Sequence, residues 1–172
     1  MKVVFNGDFS ALAEFESAVR KVPKSMRVVS EQLAEETIEL IREGFEKHAD
    51  PYGKPWKDLV LREGQPLEDT GGMKGAWYRR RATRQRFVVA NAKSYSIFHQ
   101  KGTGLYGNKR RRIRPIRATA LRVPVRGGGT HYFASVRGTP KRRMVPESGR
   151  LPPRWKRRYV ETSREVLTEL FR

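Results

Sequence analysis

Short runs of cations are the chemistry this chain offers most plainly. YRRRATRQR (78–86), KRRRIRPIR (109–117), PKRRM (140–144) and RWKRRY (154–159) each gather several Lys and Arg, some with an aromatic at the edge. A guanidinium meets a phosphate or carboxylate through two parallel N–H donors, whereas an ammonium meets it as a point charge. Contacts of this kind hold a polyanion in a salt-sensitive way and need no base recognition. The candidate contact residues are Arg79, Arg80, Arg81, Lys109, Arg110, Arg111, Arg112, Arg114, Arg117, Lys141, Arg142 and Arg143. Their partner is nucleic acid or an acidic protein surface, and the sequence does not separate the two. No helix-turn-helix, zinc-finger, RRM or KH signature accompanies them, so nothing points to sequence reading.

Other chemistry is thinly represented. His48, His99 and His131 stand far apart, with no HExxH or other ligand spacing, which leaves them as packing or surface residues. GTGLYGNKR (102–110) has the glycines of a phosphate loop but lacks GxxxxGK[ST], and an arginine run follows it instead of an apolar helix. There is no GxSxG elbow, and the near-absence of acids after Asp69 leaves no carboxylate cluster for metal-assisted hydrolysis. No catalytic residue, metal ligand or cofactor is assigned. Cys is absent, which removes disulfides and thiolate chemistry and leaves the redox compartment undecided.

The net charge of +19 over 172 residues is unevenly distributed. Between Thr70 and Tyr159 there are 25 Lys/Arg against one acid, Glu147 (25 − 1 = +24), and the rest of the chain carries 12 Lys/Arg against 17 acids (12 − 17 = −5). Such self-repulsion destabilises a compact state unless counterions or a polyanion offset it. A plain solvated basic surface is the bland reading, and a polyanionic neighbour is the favoured one. With only 37% hydrophobic residues, the core is expected to be modest or completed by another subunit. No apolar run approaches the roughly 20 residues of a membrane helix, and no signal-peptide core is visible at the N-terminus. The expectation is a soluble protein that works where it is made, or is carried out inside something larger.

The elements that must position these cations are read from periodicity. KVVFNGDF (2–9) suggests a first strand, with a turn at NGD. Ser10 can cap a helix carrying Leu12, Phe15, Val19 and Val22, which Pro23 is expected to close. Ser25 then caps a longer helix, 25–48, with Met26, Val29, Leu33, Thr37, Ile38, Ile41 and Phe45 in one stripe and glutamates around it. Pro51 and Gly53 end it. RFVVANA (86–92), ALRVPV (120–125) and THYFASV (130–136) look like strands, the last two joined as a hairpin with a glycine tip. YSIFHQ (95–100) fits either strand or short helix. The stretches 101–117 and 137–153 read as long loops or arms, and a final helix begins near Trp155.

Four separated stretches, in order, resemble one family: the virion morphogenesis, or tail completion, proteins of tailed bacteriophages. FEKHADPYGKPWKDL (45–59) is similar to their F…DP.G.PW..L segment, and LEDTGGMKGAW (67–77) to L..TG.L..S. YSIFHQKGTG (95–104) is similar to YA.IHQ.G, and VPESGRLPPRW (145–155), more loosely, to the IPARPFL segment before the closing helix. Met73 stands where the family has Leu, a change harmless by volume. LPPRW replaces IPARPF, and the basic stretch between Gly104 and Ala118 is longer and more cationic than the family requires.

The resemblance implies a scaffold role for its motif residues: Pro51, Gly53, Pro55, Trp56, Asp69, Thr70, Gly71, Tyr95, His99 and Gln100. The chemistry of these residues suits such a role. The prolines restrict the chain, Gly53 allows a left-handed turn, and Trp56 anchors the loop by burying its ring. Asp69 or Thr70 caps neighbouring N–H groups, and Tyr95, Phe98 and His99 cluster. The expected fold is a single α+β domain over 1–172. In it a mostly antiparallel sheet of four or five strands packs in two layers against the long helix and the C-terminal helix, with extended basic loops. The implied function is non-enzymatic assembly in the host cytoplasm of a virion neck or tail, as a homo-oligomeric ring of six or twelve copies. Its partners would be the tail terminator or tail tube and head completion or portal-side proteins, with genomic DNA as a further candidate and no membrane. Two rivals are a free basic nucleic-acid-binding protein, ribosomal or nucleoid-like, and a nuclease.

Overall fold

The computed structural model describes residues 10–59, 64–68, 70–125, 129–147 and 149–170. The first strand expected at 2–9, the glycine tip at 126–128, Asp69 and Phe171 lie outside them. Helix α1 spans Ser10–Glu46 and is followed by the antiparallel pair β1 (Trp77–Ala82) and β2 (Phe87–Asn91). Next come the short helix α2 (Ser96–Lys101), a second antiparallel pair β3 (Leu121–Val125) and β4 (Gly129–Phe133), and helix α3 (Pro153–Leu170). The class is α+β as expected, but the described strands form two separate two-stranded sheets instead of one larger sheet.

Two local readings are corrected, and two stretches left without an assigned element gain one. Pro23 does not close a first helix; it sits inside α1, which runs unbroken through it. A proline there forfeits one backbone hydrogen bond and crowds the preceding turn, a cost of roughly 3 kcal/mol that the surrounding helix absorbs. Ser25 is accordingly a buried mid-helix residue and no cap. The run at 78–86 contains a strand, β1, whose four central residues Tyr78–Arg81 are all exposed, so that no apolar alternation announced it. A bulge places Arg80 opposite no partner, between the Arg79–Val89 and Arg81–Val88 pairs. The ambiguous 95–100 stretch is helical.

The end of α1 follows from local geometry. His48 adopts a left-handed conformation (φ 49°), its N–H bonds the carbonyl of Phe45, and the N–H of Ala49 bonds that of Gly44 at 3.0 Å. This is the paired 5→2 and 6→1 closure usually built around glycine. The chain then turns through Asp50, whose Oδ1 accepts the N–H groups of Tyr52 and Lys54, both at 2.9 Å. Gly53 takes φ 84° within that turn, as the sequence suggested.

The turn delivers Trp56 to the core. Its ring is 6% exposed, lies edge-on to Phe45 at 5.3 Å, and joins Leu40, Ile41, Leu67, Met73, Met144 and Trp155. Trp77, Val89, Val145 and Tyr159 close the periphery. Helix α1 thus packs against α3 and the β1–β2 pair at its C-terminal half. Further back its stripe is not wholly covered, and Met26 and Val28 are exposed.

Candidate functional site

Two of the motif stretches, 45–59 and 95–104, hydrogen-bond one strap, residues 139–147, which runs on into a third. The Trp56 indole N–H donates to the carbonyl of Arg143 at 2.9 Å. The Gln100 amide clamps the next residues from both ends: Nε2 donates to the Val145 carbonyl at 2.8 Å, and Oε1 accepts the N–H groups of Met144 and Val145. Tyr52 reaches the far side, donating to the Arg150 carbonyl and accepting the N–H of Glu147. Asn91 donates to the Met73 carbonyl, which ties β2 to the 67–77 stretch. Tyr95 lies edge-on to His99 at 6.4 Å, and both line a cleft of about 350 Å³ with Thr70, Gly72, Met73 and Arg142.

The turn expected around Asp69, Thr70 and Gly71 is present, closed by the Gly75 N–H on the Gly71 carbonyl with Gly71 at φ 70°; the Thr70 hydroxyl makes no hydrogen bond to a described residue, and the capping expected of Asp69 lies outside the described residues. One detail of the motif expectations changes. Phe98 does not join the Tyr95–His99 cluster and is more than half exposed.

The cations divide sharply. Arg142 is only 3% exposed, and its Nε and Nη2 donate to the carbonyls of Lys57 (2.8 Å) and Asp58 (3.0 Å) while its own N–H bonds the His99 carbonyl. It is a structural residue and is removed from the contact set, because a guanidinium so enclosed has no face to offer a phosphate. Arg143 is engaged by Glu147 at 2.8 Å, and Arg79 lies 3.4 Å from Glu35 of α1. The glutamates of α1 are in turn met by cations of α3 and the 74–76 turn: Arg154 and Arg158 on Glu43, Arg158 on Glu36 at 2.7 Å, Lys74 on Glu46. Each such surface pair contributes little by itself, yet together they engage much of the acidic charge.

What remains open is the arm. Lys109, Arg110, Arg111, Arg114 and Arg117 are exposed and make no side-chain hydrogen bond or ion pair with a described residue. The same holds for Arg80, Arg81 and Lys141. Arg112 differs, since its Nε donates to Ser135 Oγ at 3.0 Å. The arm is pinned at its base: Ile113 and Val136 exchange both backbone hydrogen bonds at 2.9 Å, and Leu105 N–H donates to Arg137 O at 2.8 Å. There the two long loops cross so closely that a Cβ on Gly104 would sit 2.3 Å from Arg137 O, and one on Gly138 2.4 Å from Thr103 O. The glycines of the GTG stretch therefore serve a backbone crossing. Sequence reasoning missed this crossing and the part played by the Arg137 and Lys57 carbonyls; the paired Gly-Thr steps at 102–104 and 138–139 were its one visible signal.

The Tyr159 phenol is half-buried where α3 meets α1. Burial pushes it above its ordinary value, the hydrogen bond with Thr37 at 2.7 Å opposes this, and the nearby Glu36 carboxylate adds to it. It ties α3 to α1. Among the described residues no group of three or more His, Asp or Glu is placed to hold a metal ion, and no helix is long and apolar enough to cross a membrane. No family model, no curated protein and no solved structure matches the chain.

Proposed function

We propose that this chain is a non-enzymatic structural protein of a tailed-phage virion. It completes the tail and joins it to the head at the neck, as a ring of identical subunits. The observation that carries the reading is the separation of two tasks: the motif residues tie a scaffold together, while the arm cations other than Arg112 have no side-chain partner among the described residues. A ring forms when one patch of a subunit meets a different patch of the next and the rotation closes. At the neck such a ring encircles the path of the genome, and the arm supplies positive charge toward the DNA or toward acidic neighbours in the adjoining ring. We assign the DNA-facing role to Lys109, Arg110, Arg111, Arg114 and Arg117, and the motif cluster to the scaffold.

The experiment replaces Arg110, Arg111, Arg114 and Arg117 together with Ser in the phage genome. Particles are expected to assemble heads and tails but to lose DNA retention or joining. Normal infectious yield from that variant overturns the proposal. Electron microscopy of the purified protein, alone and mixed with tail or capsid parts, is expected to reveal rings. A lone monomer that instead binds DNA tightly and with a steep salt dependence would favour a free nucleic-acid-binding protein.

A further inference from the structure

Two adjoining clefts share Lys57, Tyr106 and Pro140 and together make up a groove at the foot of the arm. The larger, about 500 Å³, has Ile113, Val123, Phe133 and Val136 as an apolar floor. Lys57, Arg112 and Arg137 line it against one carboxylate, Asp58. The smaller, about 250 Å³, adds Lys54 and Lys141, together with an Arg143 that Glu147 already engages and an Asp50 turned onto its own backbone. An apolar floor with cations at its margin fits an occupant that is itself apolar at one point and anionic around it.

A nucleic-acid strand matches this poorly. Its bases need an open aromatic face, or hydrogen-bonding partners for their edges, to repay desolvation. The Lys57 ammonium already sits over the Tyr106 ring at 5.4 Å, Phe133 is already stacked on His131 at 6.0 Å, and Ser135 already receives Arg112. An aliphatic or aromatic side chain makes no such demand, and carboxylates flanking it meet Arg112, Arg137 and Lys57 through charge-assisted hydrogen bonds.

We propose that this groove docks an acidic segment of a neighbouring structural protein, with one large apolar side chain on the floor and carboxylates on the rim. The inference rests on the reading of the chain as an assembly subunit and adds the chemistry of one partner. The test uses the full chain and a fluorescein-labelled peptide with a central phenylalanine and three glutamates on each side, followed by anisotropy. Saturable binding is expected, weakened at least tenfold when the phenylalanine is replaced by alanine. The double variant Arg112→Ser, Arg137→Ser is expected to weaken it at least tenfold as well. Ile113→Ser, checked by circular dichroism for an unchanged fold, is expected to erase the preference for phenylalanine.

Equal affinity for the two peptides, or no binding, overturns the inference. A labelled oligo-dT that displaces the peptide and fails on the Arg112/Arg137 variant overturns it too, and makes the groove a nucleic-acid site. The arm variant separates the two readings: it should bind the peptide normally. Peptide binding as expected with normal particles from the arm variant sinks only the virion reading, whereas the reverse pair of results sinks only the groove.

Discussion

The strap at 139–147 and the arm at 109–117 are alike in sequence, each a run of Arg and Lys broken by proline and an aliphatic residue. In the fold they are opposites. The strap's Arg142 is enclosed and donates to two carbonyls, its Arg143 is matched by the single acid of the basic half, and its backbone is held by Trp56 and Gln100. The arm's cations, Arg112 excepted, have no described partner at all. Composition therefore says little about what a cationic run does. Whether neighbouring backbone groups need a donor decides it, and that need appears only once the chain is folded.

Substitutions can break this contrast or sharpen it. Trp56→Ala removes the aromatic anchor from the core and the hold on the strap. Chemical denaturation should give a loss of about 3–5 kcal/mol. A smaller loss would mean that the strap is held mainly from the Gln100 side. Arg142→Met keeps the aliphatic bulk but orphans the Lys57 and Asp58 carbonyls, for an expected loss of about 2–4 kcal/mol. Little or no loss on denaturation would return Arg142 to the arm's class.

Tyr159→Phe deletes the bond to Thr37 and should cost about 1 kcal/mol at neutral pH. Because burial holds the folded phenol above its unfolded value, the buried neutral phenol of the wild type contributes fully below pH about 10, and that contribution is lost as pH rises through the folded value. The variant should lack that alkaline loss, so the two melting temperatures converge at high pH. The smallest stability effect belongs to the arm: Ser at Arg110, Arg111, Arg114 and Arg117 should leave stability within about 0.5 kcal/mol. In a DNA-binding titration, the log–log salt slope of the same variant should become shallower by about 0.9 for each phosphate that the arm no longer neutralises.

The elements with strong local signals were legible before the fold was seen. The apolar stripe of α1 around Ile38, Ile41 and Phe45, the strands β2, β3 and β4, the closing helix and the turn into Trp56 all follow from spacing and turn chemistry. Strand β1 was hidden because Arg79, Arg80 and Arg81 mimic a solvated charge run; it is a strand because β2 pairs with it. Pro23 misled for the converse reason, a local rule outweighed by the helix on either side. At the site, the gathering of Tyr52, Trp56 and Gln100 on one strap depends on long-range contacts that no window of sequence contains. The burial of Arg142 was equally invisible, since its two acceptors are backbone carbonyls more than 80 positions away.

The crossing at Gly104 and Gly138 has a mechanical consequence. With no room for even a methyl group between the two loops, the foot of the arm cannot slide along its neighbour. A tug on the arm's charges is therefore passed straight through two glycines into the strap, and from there to Trp56 and the end of α1. Whatever load the tip carries, the core feels it.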